Sequence, residues 1–495
     1  MSSGSLATAG QMPTAGTVDI VTSGQRPRLL FMPAVAQILG RARARALGLT
    51  EGPHRLGLFL LVCVLMGTII PTEIAYDAEM FYSRRFLGIP PHLMLTAFTI
   101  AMAVMVDVRY YQRLVARPFV ALSLLILAAL LVVGVAKYGA RSQLVRSDIY
   151  IIRWFFVGFI LTRLAIASGM LRQYLLFATV VILLTAFGID TTNSQAGQID
   201  TSLRRIVSSN LWPVINCGTI MIGLLLTVTW PLSLGFAVFG SVSFAMLAFV
   251  GSVRTSTRSA FFYQSLCFIL VLLALSRDPR LRSRGSSFRR AATGLVMLGA
   301  VVVIYLVATG GLLGGYSQIG DRFRDTSFGV KDTGLVRLQE AIGMVTELTP
   351  DEWVLGKGLG GMFYSTMGAW FNVPHIAVFG FLQKGGIAVF LLVLVAIYIV
   401  PGLAFFKQLI QPRRSSPLPA PILIVGPVLV AWCGLTFISG GIDIGSFFGL
   451  GGLTALWIQL ADDERVFEAE RRRFAVLQPN RYANWQGSAT VGSAQ

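Results

Sequence analysis

Charge is scarce in this sequence. Only 13% of its 495 residues are Asp, Glu, Lys or Arg, half the ~25% usual in soluble domains. A water-soluble globular chain of this length is thereby excluded. Cysteine is scarce too. Cys63, Cys217, Cys267 and Cys433 stand far apart in apolar segments with no CxxC spacing. Neither a disulfide framework nor a zinc site is implied, and the four read as small core hydrophobes. Acidic residues are outnumbered, 23 against 41 Lys and Arg. Much of the basic excess falls between apolar runs, where the positive-inside rule places it, so the charge does not imply a nucleic-acid partner. Histidine occurs three times, at positions 54, 92 and 375.

What is abundant is apolar length. Hydrophobic residues make up 55% of the chain. They gather in runs near 56–72, 91–107, 118–136, 149–170, 173–189, 209–228, 232–252, 260–276, 292–313, 376–405, 419–439 and 444–461. Runs of about 17–25 apolar residues span a bilayer as helices, because lipid offers the backbone no hydrogen-bond partner. The expectation is an all-α polytopic membrane protein with about twelve transmembrane helices. It divides into a basic tail at 1–55, a membrane domain at 56–461 and a second tail at 462–495. Within the first tail, Arg41, Arg43 and Arg45 among leucines point to a helix lying on an anionic surface.

Alternating the spans from a cytoplasmic N-terminus puts the basic connections 109–118, 277–290 and 407–416 and the tail arginines 471–473 inside. The 277–290 stretch alone carries six arginines. Lys137, Arg141 and Arg146 fall outside and break the rule. Both termini are therefore expected in the cytoplasm, with a long outside loop at 314–374. Within it, Leu335, Leu338, Ile342 and Val345 recur at helical spacing, with Asp332 or Thr333 as N-cap and Pro350 as terminator. The glycine-rich "GKGLGGM" (356–362) lacks the ending of a phosphate-binding P-loop and reads as a flexible turn.

Polar groups at the ends of spans are the natural place for chemistry, since charge at membrane depth is costly. On the outer side, "GSVRTSTRSAFF" (251–262) carries Arg254 and Arg258 four residues apart, so one helical face presents both guanidiniums. Such forks grip phosphate bidentately, although snorkelling to lipid headgroups explains them equally well. Arg337 lies on the loop helix near Glu340, where a solvated surface arginine is the simplest reading. His375, in "NVPHIAVFGFLQKGG" (372–386), stands at the outer end of a span, as an interfacial side chain or as a proton acceptor.

The order of these features resembles the O-antigen ligase and O-antigen polymerase superfamily: "STRSA", an Arg-rich turn, a span, a long loop with "RLQEA…W…GKGLG", then "H…GG" opening the next span. That resemblance covers roughly 209–405. It implies a GT-C-like glycosyltransferase of the bacterial cytoplasmic membrane, acting at the outer face on undecaprenyl-diphosphate-linked glycan. It further implies His375 as the catalytic residue, Arg258 and Arg337, with Arg254, as diphosphate-binding residues, and no metal or other cofactor. Partners would be the lipid-linked donor, a glycan, lipid or protein acceptor, and other polysaccharide-export components. Ile376 stands where an asparagine commonly follows the histidine, and Thr257 where a serine precedes the arginine.

Two other readings use other residues. Glu73, Asp77 and Glu79 in "PTEIAYDAEMFYSRR" (71–85) fit a solvated loop or the carboxylates of a metal-dependent GT-C transferase. Arg153 and Arg163 within one span are the best hints of a lipid-linked oligosaccharide flippase or other transporter.

Overall fold

The computed structural model describes residues 54–74, 91–140, 142–196, 201–231, 234–250, 258–282, 330–364, 370–371, 374–411, 419–438, 440 and 442–477, all within the unit Arg43–Gln495. The elements are overwhelmingly helical. They begin with α1 (His54–Ile69, running into a wider turn at Ile70–Ile74), α2 (Pro91–Val115), α3 (Pro118–Tyr138), α4 (Gln143–Ala167) and α5 (Leu171–Ala196). Next come α6 (Thr201–Thr229), α7 (Leu234–Phe249), α8 (Arg258–Ser276) and the short α9 (Pro279–Arg282). The long loop supplies α10 (Val330–Thr346), α11 (Pro350–Leu355) and a hairpin of β1 (Phe363–Tyr364) and β2 (Trp370–Phe371). The last are α12 (Val378–Val393), continued through a wide turn into α13 (Val400–Ile410), then α14 (Pro421–Ile438) and α15 (Ile444–Leu477).

Among the described residues, eight helical stretches are long and apolar enough to cross a membrane, and α7, α14 and Phe262–Ser276 of α8 are shorter apolar helices. The fold is that of an all-α polytopic membrane protein. The expected span at 292–313 and the basic stretch at 41–45 lie outside the described residues.

At the centre stands α6, whose 211–229 stretch is almost wholly buried. Its buried threonines are satisfied within the helix. Thr219 and Thr229 donate to the carbonyls of Ile215 and Leu225, one turn back on the same helix. Close helix approach is secured by glycine. A side chain at Gly158 of α4 would strike the backbone of Phe448, and one at Gly451 of α15 would strike that of Phe155. At Gly445 it would strike Pro213 of α6. Without a hydrophobic driving force between helices in lipid, such backbone proximity is a main source of packing energy. By contrast α3 and the α12–α13 helix bury little of their apolar surface.

Hydrogen bonds between helix ends sort the bundle into two ends. Asn216, five residues into the 211–229 stretch of α6, donates to Asp443 ahead of α15 at 2.8 Å, and Tyr150 early in α4 donates to Glu73 at the end of α1 at 3.2 Å. At the opposite end Arg117 pairs with Asp462 of α15 at 2.6 Å. There Arg280 is held by Asp278 at 2.6 Å and donates to the Thr227 carbonyl at 2.9 Å, closing the C-terminus of α6. The basic connections beginning at 109 and 277 thus share one end, and His375 lies at the other.

Candidate functional site

The loop helix α10 does not present the face that its leucines predict. Leu338 and Ile342 are exposed, whereas Glu340, Ala341 and Met344 are buried. Nor is it capped at Asp332 or Thr333, since the helix already runs from Val330; it ends at Thr346, before Pro350. Pro350 opens α11, where its missing N–H costs nothing. Thr349 is the N-cap, and the Glu352 carboxylate reaches back to accept its N–H at 3.4 Å.

Turning α10 this way carries a carboxylate inward. Glu340 is 1% exposed, and its Oε2 stands 2.7 Å from Nδ1 of His375. A buried carboxylate accepts, so Nδ1 is the donor, which fixes the tautomer and plane of the imidazole. The His375 side chain keeps 35% of its surface exposed, so the pair is half sealed and half open. Its backbone is tied as well: Gly440, in the connection between α14 and α15, donates to the His375 carbonyl at 2.6 Å. Arg337 sits one turn before Glu340 on the same helix and is half-buried rather than solvated. Burial draws its guanidinium below the ordinary value, and the Glu340 carboxylate pulls it back up.

Of the residues singled out from sequence, His375 and Arg337 are thus brought together through Glu340. The backbone of Arg258 opens α8, at the same end of the bundle as His375. Arg254, Asp77 and Glu79 lie outside the described residues. Glu73 does not sit in a solvated loop: it is buried in the last turn of the first span, hydrogen-bonded to Tyr150. Arg163 is absorbed at the opposite end, with Gln459 at 2.6 Å, Asp107 at 3.6 Å and the Tyr110 ring at 3.8 Å. Arg153 stacks over the rings of Tyr150 and Trp154. Among the described residues, no three His, Cys, Asp or Glu side chains gather closely enough to hold a metal ion.

The glycine-rich stretch is not a flexible turn. Residues 356–361 are buried and hydrogen-bonded to three helices. Lys357 and Gly358 donate to the Gln383 and Lys384 carbonyls of α12 at 2.7 and 2.9 Å, and Leu359 donates to Leu130 of α3 at 3.1 Å. Gly360 donates to Asp148 of α4 at 2.6 Å. Asp148 also receives the ammonium of Lys384 at 2.5 Å, a buried ion pair. The counterpart on α12 is a break at Gly386 (φ 68°), which releases the preceding carbonyls from the helical ladder so that the loop can use them. Gly356 (φ 74°) faces the Lys384 carbonyl so closely that no side chain fits. The two adjacent glycines of "QKGG" are therefore a docking seam, and the expected uninterrupted helix over 376–405 is broken there.

Sequence reasoning missed Glu340, Asp148 and Lys384 as participants. The signal for Glu340 was its spacing of three from Arg337. For the other two, charge within an apolar run (Lys384) or at its very edge (Asp148) was the signal.

These features define a polytopic, all-α membrane protein with a histidine–carboxylate pair at one end of the bundle. No family model, no curated protein and no solved structure matches this chain.

Proposed function

We propose that the protein is a membrane glycosyltransferase, GT-C-like in fold, that transfers or polymerises undecaprenyl-diphosphate-linked glycan at the outer face of the bacterial cytoplasmic membrane. The observation that carries this reading is the 2.7 Å contact between His375 and the buried Glu340, with Arg337 one turn away. The sequence resemblance described above supports it from a separate direction. The gathering of basic connections at the opposite end supports placing the site outside.

In this mechanism Glu340 holds the imidazole with Nδ1–H toward itself, leaving Nε2 to take the proton of the acceptor hydroxyl. The acceptor oxygen attacks the anomeric carbon as the bond to the diphosphate oxygen breaks, with inversion. The bonding electrons leave on the lipid diphosphate. Arg337, with Arg258 and Arg254, stabilises the charge that develops there. The imidazolium formed is in turn stabilised by Glu340, in the manner of an acid–base dyad.

The test is glycan transfer by variants of normal abundance. His375→Ala and Arg337→Ala are each expected to abolish it. Glu340→Gln is expected to lower it by about 10²-fold or more, since a positioned general base contributes ~10²–10⁴. Full activity in both His375→Ala and Glu340→Gln overturns the reading. Glycan analysis after deletion then separates the two reactions. Loss of long chains with one repeat retained marks a polymerase, and accumulation of unattached long chains marks a ligase.

A further inference from the structure

Helix α11 and the chain that follows it descend into the apolar belt of the bundle instead of resting above it. The Glu352 carboxylate meets Lys137, next to the last residue of α3, at 3.1 Å. A few residues later Leu359 donates to the carbonyl of Leu130, ~12 Å along α3 from its Tyr138 end. Helix α3 is 21 residues long, and at ~1.5 Å per residue it matches the ~30 Å thickness of a hydrocarbon core. Leu359 therefore lies well inside that thickness. The chain then rises again, since Gly360 reaches Asp148 near the start of α4.

Two features fit a segment that dips into a bilayer. Irregular backbone at membrane depth must be buried in protein with its polar groups satisfied. Residues 356–361 are buried, with the N–H groups of Lys357, Gly358, Leu359 and Gly360 each bonded to α3, α4 or α12. The helical arm that enters has the opposite character. Trp353 is 37% exposed, Val354 59% and Leu355 60%. The backbone carbonyl of Val354 packs against Gly386 of α12, so these side chains stand beside α3 and α12, whose own apolar surfaces are largely uncovered.

We propose that residues 350–361 form a re-entrant segment, and that Trp353, Val354 and Leu355 are seated in bilayer hydrocarbon between α3 and α12. The occupant of this face is membrane lipid. The Lys137 ammonium ties Glu352 and the Gly356 carbonyl at the polar level, and the indole and the two aliphatic side chains between them face the bilayer there. In sequence this seat lies between α10, which carries Glu340, and α12, which follows His375. The inference needs only the membrane-spanning fold and stands whether or not the protein transfers glycan.

Spin-label accessibility tests it in the full-length protein in liposomes. In a Cys63→Ala background, where Cys217, Cys267 and Cys433 are buried, a nitroxide is placed by Leu355→Cys. Parallel labels at Leu125→Cys on the exposed face of α3 and at Asp351→Cys serve as lipid and water references. The label at 355 is expected to be relaxed more by oxygen than by a water-soluble nickel chelate, as at 125. Relaxation dominated by the chelate, as at 351, overturns the proposal, and so does protection from both, which would mean cover by protein. Val354→Cys provides the same reading if the first variant fails to fold.

Discussion

At the scale of single residues, the buried ion pair between Lys384 and Asp148 has the largest expected effect on stability. Its side chains are 14% and 5% exposed, and a charge left alone at such depth costs far more than the pair itself contributes. Asp148→Asn is therefore expected to destabilise the protein by about 3–5 kcal/mol, the range for breaking a buried pair. That loss reads as a lower midpoint of thermal unfolding in detergent. Adding Lys384→Met removes the stranded charge and is expected to recover most of it. The same scale explains why Lys137 stands against the positive-inside trend. It answers Glu352 at 3.1 Å and the Gly356 carbonyl at 3.4 Å. A local partner in a loop far away in sequence outweighs a statistical bias, and no reading of the span alone reveals that partner.

At the scale of elements, the contact between α3 and the 356–361 stretch is made of backbone. A Cβ at Gly134 would meet the backbone of Leu359, and one at Gly358 the backbone of Gly134. Gly134→Ala is expected to loosen the loop and to raise proteolysis between α10 and α12. Gly57→Ala in α1, where nothing stands within 4 Å, is expected to be neutral or mildly stabilising, since alanine is the better helix former by about 1 kcal/mol. Equal protease resistance in the two variants would show that the seam does not hold the loop.

This seam also marks where the sequence is legible and where it is not. Apolar spans announce themselves, because lipid leaves the helix as the one arrangement that satisfies a lone segment, and most expected runs coincide with helices described above. Glycine is ambiguous in a way that leucine is not. In "GKGLGG" it permits freedom or close approach, and only the facing helix α12, broken at Gly386, decides for the second. The face of α10 was misjudged for a related reason. Leu335, Leu338, Ile342 and Val345 satisfy the helical period, yet Ala341 and Met344 satisfy it too, one step around. Near a membrane the apolar stripe does not have to face protein, and Glu340 is buried because His375 meets it there. His375 and Arg337 were readable as span-end and loop-helix polar residues, but the carboxylate that joins them emerges from tertiary packing.

At the scale of the whole molecule, the two ends of the bundle differ in character. One gathers Arg117 and Arg280 with their acidic partners, and the other holds His375, Glu340, Asp443 and Asn216. The orientation we propose from the positive-inside rule would put the second end outside. A cysteine at position 351, in the exposed first turn of α11, is expected to react in intact cells with a membrane-impermeant maleimide, while a cysteine at Arg465 reacts only after lysis. The reverse pattern would invert the protein and remove the outer-face assignment with it.

Helix α15 has a consequence of a mechanical kind. Its 34 residues measure ~51 Å against a hydrocarbon core of ~30 Å, so ~20 Å of unbroken helix stands clear of the bilayer at the arginine-bearing end. Its other half is wedged, through Gly445 and Gly451, against the backbones of α6 and α4. A rod wedged at one end and projecting at the other is a lever. A push or twist at Arg472 would bear, through this one helix, on Gly445 and Gly451, where it meets the backbones of α6 and α4.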